Sequence, residues 1–450
     1  MIVSLRGASL ASMALAGLLG LSGAAPAPNS GARYPKAFAA DLGVTKLVGE
    51  IDADAALGGV QIFVAAGLDR EPLNGNGIAS LVAEALVRTP VAGANGTILP
   101  AREAIAAQGG SLTFTVDGRS VHFYLESRAE RLAAAVALFA KAIAAPDFTP
   151  ATIAAARAAL TSRIAETEGS ALSVGIGMFR RSYYTTGAGN PALGNASTLA
   201  GLESKDASAF FAANYKRGGL TASAVGALAP DLNDALETLA KSLLDGSPLP
   251  VVSQTKVIPA QAPRIVAHRD IGAPWVVVGF AAPAPGSKDF GAMLVLEKLL
   301  AEAFERNSAT TLGFIEKSVG AFYLYDAAPA SLVVYVNGTQ GDPSVALRQL
   351  LVVSKSLSLK PLAADPLRHF KTAAEGQFLT DSVTLSDRSY LLGTFAAQGL
   401  GTDSINAALD ALERTTATDV QRVAKAYLQR YIVALVLPRT AGAPGSTRGN

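Results

Sequence analysis

SKDASAFFAANY, residues 204–215, and TATDVQRVAKAY, residues 416–427, have one outline and stand at an offset of 416 − 204 = 212. Two more pairs repeat that spacing. The apolar run QIFVAAGL reaches Ala65 where VVVGFAAP reaches Ala281, an offset of 281 − 65 = 216. GGSLTFTV has Gly110 where VGAFYLYD has Gly320, an offset of 320 − 110 = 210. Three segments in the same order at nearly one spacing indicate a tandem duplication. The chain should therefore consist of two homologous domains.

Within each half the pattern is strand, helix, strand pair, long helices, then a helix and a last strand. SVHFYLES alternates as a strand does, with Val121, Phe123 and Leu125 on one face. The Ala- and Leu-rich run after it stops at Pro146, as a helix does. In FTPATIAAARAALTSRIAETE, Thr149 is an N-cap with Pro150 at the first helical position, and the helix should run to about Glu168. Adjacent strands with helices grouped after them predict an α+β class, each domain a mostly antiparallel or mixed sheet packed against helices. Pro248, Pro250, Pro259 and Pro263 break regular structure between the halves. The expected divisions are an N-terminal domain at 45–245, a linker at 246–264, a C-terminal domain at 265–438 and a flexible tail at 439–450.

Composition narrows the function. A chain of 450 residues, half of them hydrophobic, can bury two cores. With 38 basic and 36 acidic residues it offers no field to hold nucleic acid. The absence of cysteine removes disulfides, thiolate nucleophiles and thiolate metal sites. The three histidines, His122, His268 and His369, have no helical pairing with one another, so they read as ordinary surface or core residues. The first residues carry Arg6, a short Gly-rich apolar run and then Ser22 and Ala24, the pattern of a secretory signal over residues 1–24. Export to the periplasm without an integral span is the expectation, with an uncleaved N-terminal anchor as the alternative.

The stretch NGNGIASLVAEALVRTP, residues 74–90, reads as the entrance to an amphipathic helix. Ile78, Leu81, Val82, Ala85 and Leu86 form a stripe facing a core. Ser80, Ala83 and Glu84 share the other face at i, i+3 and i+4. Histidines at that i and i+4 spacing hold zinc in metallopeptidases, with a glutamate between them as general base.

The order of GIASLVAEALVRT, AREAIAAQGGSLTFT, the long helical run through AALTSRI, and GNPALGNASTLAGLESKDASAFFAANYKRGG resembles the insulinase/pitrilysin family of zinc metallopeptidases across residues 45–437. The resemblance implies a two-domain chain forming one half of a clam shell. It also implies a zinc motif H-x-x-E-H, and onto its positions fall Ser80, Ala83 and Glu84; Arg163 falls at the third ligand. No catalytic residue and no metal ligand is therefore expected in this chain. A family Arg–Tyr pair that grips substrate maps onto Glu316 and Tyr323, which leaves Tyr323 as a candidate substrate contact beside its plainer reading as a packed strand residue.

What the resemblance implies is a non-catalytic subunit that pairs with a homologous zinc-containing peptidase subunit as a heterodimer enclosing peptide substrates, the zinc held by the partner. The alternative is a stand-alone peptide-binding or scaffold protein of the cell envelope, possible as a homodimer. A hydrolase built on Ser80 and His122 lacks any setting that would activate the serine. An ion pair between Glu84 and Arg163 across the vacated site is the remaining expectation.

Overall fold

The computed structural model describes residues 37–41, 46–72, 75–93, 96–250, 255–259, 263–312, 319–337 and 342–439. The expected signal segment, Glu316 and the tail from residue 440 lie outside the described residues.

The N-terminal half runs β1 (Phe38–Asp41), β2 (Lys46–Ile51), β3 (Gly58–Val64), α1 (Ile78–Arg88), β4 (Pro90–Ala92), β5 (Ile98–Pro100), α2 (Ala101–Ala106), β6 (Ser111–Val116), β7 (Val121–Ser127), α3 (Ala129–Ala144), α4 (Pro150–Glu168), α5 (Ala171–Tyr183), α6 (Ala196–Gly201), α7 (Ser204–Asn214), β8 (Leu220–Gly226) and α8 (Leu232–Ser242). The C-terminal half runs β9 (Arg264–Arg269), β10 (Trp275–Ala281), α9 (Phe290–Leu312), β11 (Val319–Leu324), β12 (Ser331–Asn337), α10 (Pro343–Leu359), α11 (Ala364–Thr380), α12 (Leu385–Ala397), α13 (Ser404–Arg414), α14 (Ala417–Tyr427) and β13 (Tyr431–Pro438). The first half starts earlier than residue 45, because β1 pairs antiparallel with β2.

The two sheets repeat one design. The first has the order β1-β2-β8-β3-β7-β6, the second β11-β12-β10-β13-β9. Read backwards, the second matches β2-β8-β3-β7-β6 strand for strand. Each has one parallel pair at the same place, β2 with β8 and β9 with β13, and antiparallel pairs elsewhere. The matching last helices begin alike: Asp206 accepts from the Glu203 N–H and Asp419 from the Thr416 N–H, capping α7 and α14 at an offset of 416 − 203 = 213. Thr149 caps α4 as its sequence promised, accepting from the Thr152 N–H, with Pro150 at the first turn.

The halves are not side-by-side beads. α5 crosses over to pack on β10 and β13 of the second sheet, while α12 packs on β3 and β8 of the first. The first residues of these helices keep the offset of the duplication, 385 − 171 = 214, so the exchange is reciprocal. At one crossing the Phe179 ring of α5 lies so close to Gly279 of β10 that a Cβ there would stand 2.1 Å from it. At the other the roles reverse: Phe63 of β3 fills the space over Gly393 of α12, where a Cβ would stand 2.0 Å from the ring. Each crossing thus has one large and one absent side chain, supplied by opposite elements. Burial of this interface makes the two halves share a core that includes Ile176, Phe179, Val277 and Val436.

A degenerate metal site and the cavity beside it

α1 begins at Gly77, whose φ of +97° suits glycine. A side chain there would also strike Leu199 and the Gly194 backbone. The first N–H groups of the helix need acceptors, and Glu71 supplies one: its Oε1 accepts from the N–H of Gly77 at 2.9 Å and of Ala79 at 3.3 Å, while Asn190 Nδ2 donates to Oε2 at 3.0 Å. Burial raises this carboxyl to about 7, against the opposing pull of those donors.

The sequence predicts one buried and one open face for α1. In the structure every residue from Ile78 to Val87 is buried. The second face is covered by α4 and by the loop before α6, and each of its members is engaged there. Ser80 Oγ donates to the Ala192 carbonyl at 2.5 Å. Ala83 is fully buried and has no donor atom to give. Glu84 is 2% exposed and is clamped by arginines: Arg88 Nε at 2.7 Å, Arg102 Nη1 at 3.5 Å and Arg163 Nη1 at 3.9 Å.

The structure therefore brings Glu84 and Arg163 together, with Arg163 as the longest of three contacts. Arg163 also lies over the Phe114 ring, 5.2 Å from its centre. Burial pulls its guanidinium below the ordinary value, and Glu84 works in the other direction. Arg88 and Arg102 were missed. The first was legible as an i, i+4 partner of Glu84; Arg102 reaches in from α2 and has no local signal.

This donor set does not fit a zinc ion. One carboxylate remains, and three guanidinium groups hold it; zinc needs three nitrogen, oxygen or thiolate donors at close range and no cations among them. Among the described residues there is no group of three or more His, Asp or Glu side chains placed to hold a metal. The matching helix of the second half offers no substitute, since an offset of 293 − 80 = 213 sets Met293, Leu296 and Glu297 against Ser80, Ala83 and Glu84. Glu297 there accepts from the Tyr323 N–H at 3.0 Å.

Tyr323 itself is not at the site. It is completely buried in the second half's core, and its hydroxyl donates to the Pro283 carbonyl. A strand residue turned inward explains its position, since β11 alternates and Tyr323 falls on the side facing α9. Ser80 and His122 are likewise apart in role: His122 stacks on Phe63 at 5.3 Å and against Tyr390 at 4.9 Å, and no serine hydroxyl reaches it among the described residues. His268 Nδ1 lies 3.3 Å from the Pro438 carbonyl and His369 pairs with Glu302 at 2.9 Å.

Beside the degenerate site, where the two halves meet, is a cavity of about 310 Å³. Arg163 and Phe114 line one part of it; Asp117, His122, Arg180 and Asp326 line another. Arg180 Nη1 holds Asp326 Oδ2 at 2.7 Å, joining α5 to the second half.

The family model described as Insulinase (Peptidase family M16) matches residues 48–193, which include all four positions Ser80, Ala83, Glu84 and Arg163. No curated protein sequence matches the chain. Among solved structures, a protease from Helicobacter pylori is similar at TM-score 0.78 with 16% identity, over 90% of this chain and 100% of that one. A peptidase M16 inactive domain from Pseudomonas fluorescens gives 0.75 and 14%, over 91% and 99%. A chain of complex III2 from Candida albicans, Inz-5 bound, gives 0.69 and 13%, over 87% and 93%. At these identities the structures speak for the fold alone. Residues 48–193 are thus an insulinase-type, peptidase family M16 domain, within a chain that has the M16-like fold throughout.

Proposed function

We propose that this chain is the non-catalytic subunit of a periplasmic insulinase/pitrilysin-type metallopeptidase, forming half of a peptide-enclosing chamber with a homologous subunit that carries the zinc. The observation that carries the reading is the clamp on Glu84. A metal-site helix has kept its burial and its packing while its ligand face has been filled with arginine. A fold retained without its metal has a use as a wall. The edge strand β6 and the cavity between the halves supply surfaces to which an extended peptide can add without any catalytic residue. A similar solved structure, from Pseudomonas fluorescens, is named as a peptidase M16 inactive domain.

The test is co-expression of the exported chain with a homologous subunit bearing an intact H-x-x-E-H. Co-purification of the pair, with peptide cleavage at least tenfold above that of the zinc subunit alone, is expected. A zinc subunit fully active by itself and without affinity for this chain would favour the stand-alone envelope scaffold.

A further inference from the structure

The duplication is uneven at one place, and there a helix face lies open. In the first half β8 is followed by α8, which packs along α3 and buries Leu232, Leu236 and Leu239. In the second half no helix follows β13 among the described residues. α3 has its counterpart all the same. It ends at Ala144 and α10 ends at Leu359, an offset of 359 − 144 = 215, and a proline stands two residues past each end, Pro146 and Pro361.

That offset lets the two helices be compared residue by residue. Ala133, Val136, Ala140 and Ile143 share one face of α3, and all four are buried. Their counterparts on α10 are Arg348, Leu351, Lys355 and Ser358, of which the two bases are exposed and the other two half-buried. Beside them Val352 is 68% exposed and Leu359 66%. α14 packs on α10 and leaves this side uncovered. One exposed apolar side chain needs no cause, but two of them two turns apart, on the face that is covered in the sister helix, mark a seat without its cover.

The chemistry of the face selects the cover. Arg348, Val352, Lys355 and Leu359 stand at i, i+4, i+7 and i+11, so bases and apolar groups alternate along one stripe. A second copy of the chain would set those bases against their own kind. A membrane surface is met by a helix with its bases on the side away from the apolar face, whereas here they share it. Residues 440–450, TAGAPGSTRGN, have no large apolar side chain to take the place of the α8 leucines. A helix with leucines on one face and acids among them satisfies both components of the stripe. α8 is itself such a helix, with Asp231, Asp234 and Glu237 among its leucines.

We propose that α10 is a docking site for an acidic amphipathic helix of a partner polypeptide, seated as α8 is seated on α3. The inference goes beyond the reading of the chain as a peptidase subunit and needs no zinc-bearing partner.

The test uses the full chain and, as probe, a fluorescein-labelled peptide with the sequence of residues 230–243, PDLNDALETLAKSL, titrated by fluorescence anisotropy. Saturable one-to-one binding below 1 mM is expected, and replacing the peptide's leucines at 232, 236 and 239 by serine should weaken it at least tenfold. In the chain, Val352→Glu with Leu359→Glu should weaken binding at least tenfold, and Arg348→Glu with Lys355→Glu at least fivefold. All four positions are exposed, so both variants should keep the melting temperature of the parent. No binding at 1 mM, or unchanged binding in either variant, overturns the proposal. Three other results overturn it by naming another cover. A dimer of the free chain that Val352→Glu with Leu359→Glu dissolves gives the face to a second copy. Binding to phosphatidylglycerol vesicles that is lost in the same variant gives it to a membrane. Peptide affinity that rises at least tenfold when residues 440–450 are removed gives it to those residues.

Discussion

Arg388 of α12 grips Glu50 of β2 with two parallel hydrogen bonds, Nε to Oε2 at 2.8 Å and Nη2 to Oε1 at 2.7 Å. Both side chains are almost wholly buried. The pair ties the helix donated by the second half to the sheet of the first. Such bidentate geometry is the favourable form of a buried ion pair, yet most of its measurable effect appears when one member is lost. Arg388→Ala should therefore destabilise the chain by about 3–5 kcal/mol, and a substitution of both residues by apolar ones of similar size by much less. Urea denaturation of the single and double variants checks this. Equal cost for both would mean that the charge pairing is not what matters.

The clamp on Glu84 predicts an order of effects. Arg163→Ala removes the 3.9 Å contact and leaves two arginines in place, so its cost should be below about 1.5 kcal/mol. Arg88→Ala removes the 2.7 Å contact and should cost more, roughly 1.5–3 kcal/mol, as for a hydrogen bond to a charged group. The double variant should cost more than the sum, because Glu84 is then left with Arg102 alone at 3.5 Å. Denaturant midpoints of the three proteins decide the order.

At the exchanged helices, Gly393→Ala separates packing from propensity. In an exposed helix this change would stabilise by up to about 1 kcal/mol. Here the new methyl would meet the Phe63 ring at 2.0 Å, and overpacking should cost about 1–3 kcal/mol instead. Adding Phe63→Leu should recover part of the loss. A stabilised Gly393→Ala would show that the ring is free to move aside.

Two buried acids and one half-buried acid near α1 and the cavity set a pH dependence. Burial raises Glu71 and Asp117 to about 7 and Asp69 to about 6, and Asp326 adds to the effect on Asp117. All three stand above their unfolded values, so the folded state holds protons that the unfolded state releases. Their contribution is fully present below about pH 4 and is lost as pH rises through about 6 to 7. Unfolding free energy should therefore fall from about pH 5.5 to 7 and level off above that. Glu71→Gln with Asp117→Asn should flatten that slope, as measured by urea titration at each pH.

Much of this was legible in the residues. The duplication could be read from Ala65 and Ala281 because facing residues of β3 and β10 keep that same offset, with Phe63 matching Gly279. Thr149 and Pro150 marked α4 because an N-cap acts within one turn. That Ser80, Ala83, Glu84 and Arg163 offer no zinc-binding set could be read from residue types alone. The exchange of α5 and α12 was not, since either helix would be equally amphipathic over its own sheet. Nor was the full burial of α1, because Ser80 and Glu84 look solvent-facing until Ala192 and three arginines cover them. Asp326 of the second half acts electrostatically on the buried Asp117 of the first, a relation that no local pattern encodes.

We propose that the M16-type site of this chain does not hold zinc. Metal content of the purified, isolated chain, after dialysis against zinc-containing buffer and then buffer alone, tests it directly. Less than one zinc per ten molecules is predicted, with no change in stability on adding a chelator. One zinc per molecule, retained through dialysis and lost in a Glu84→Ala variant, would contradict it.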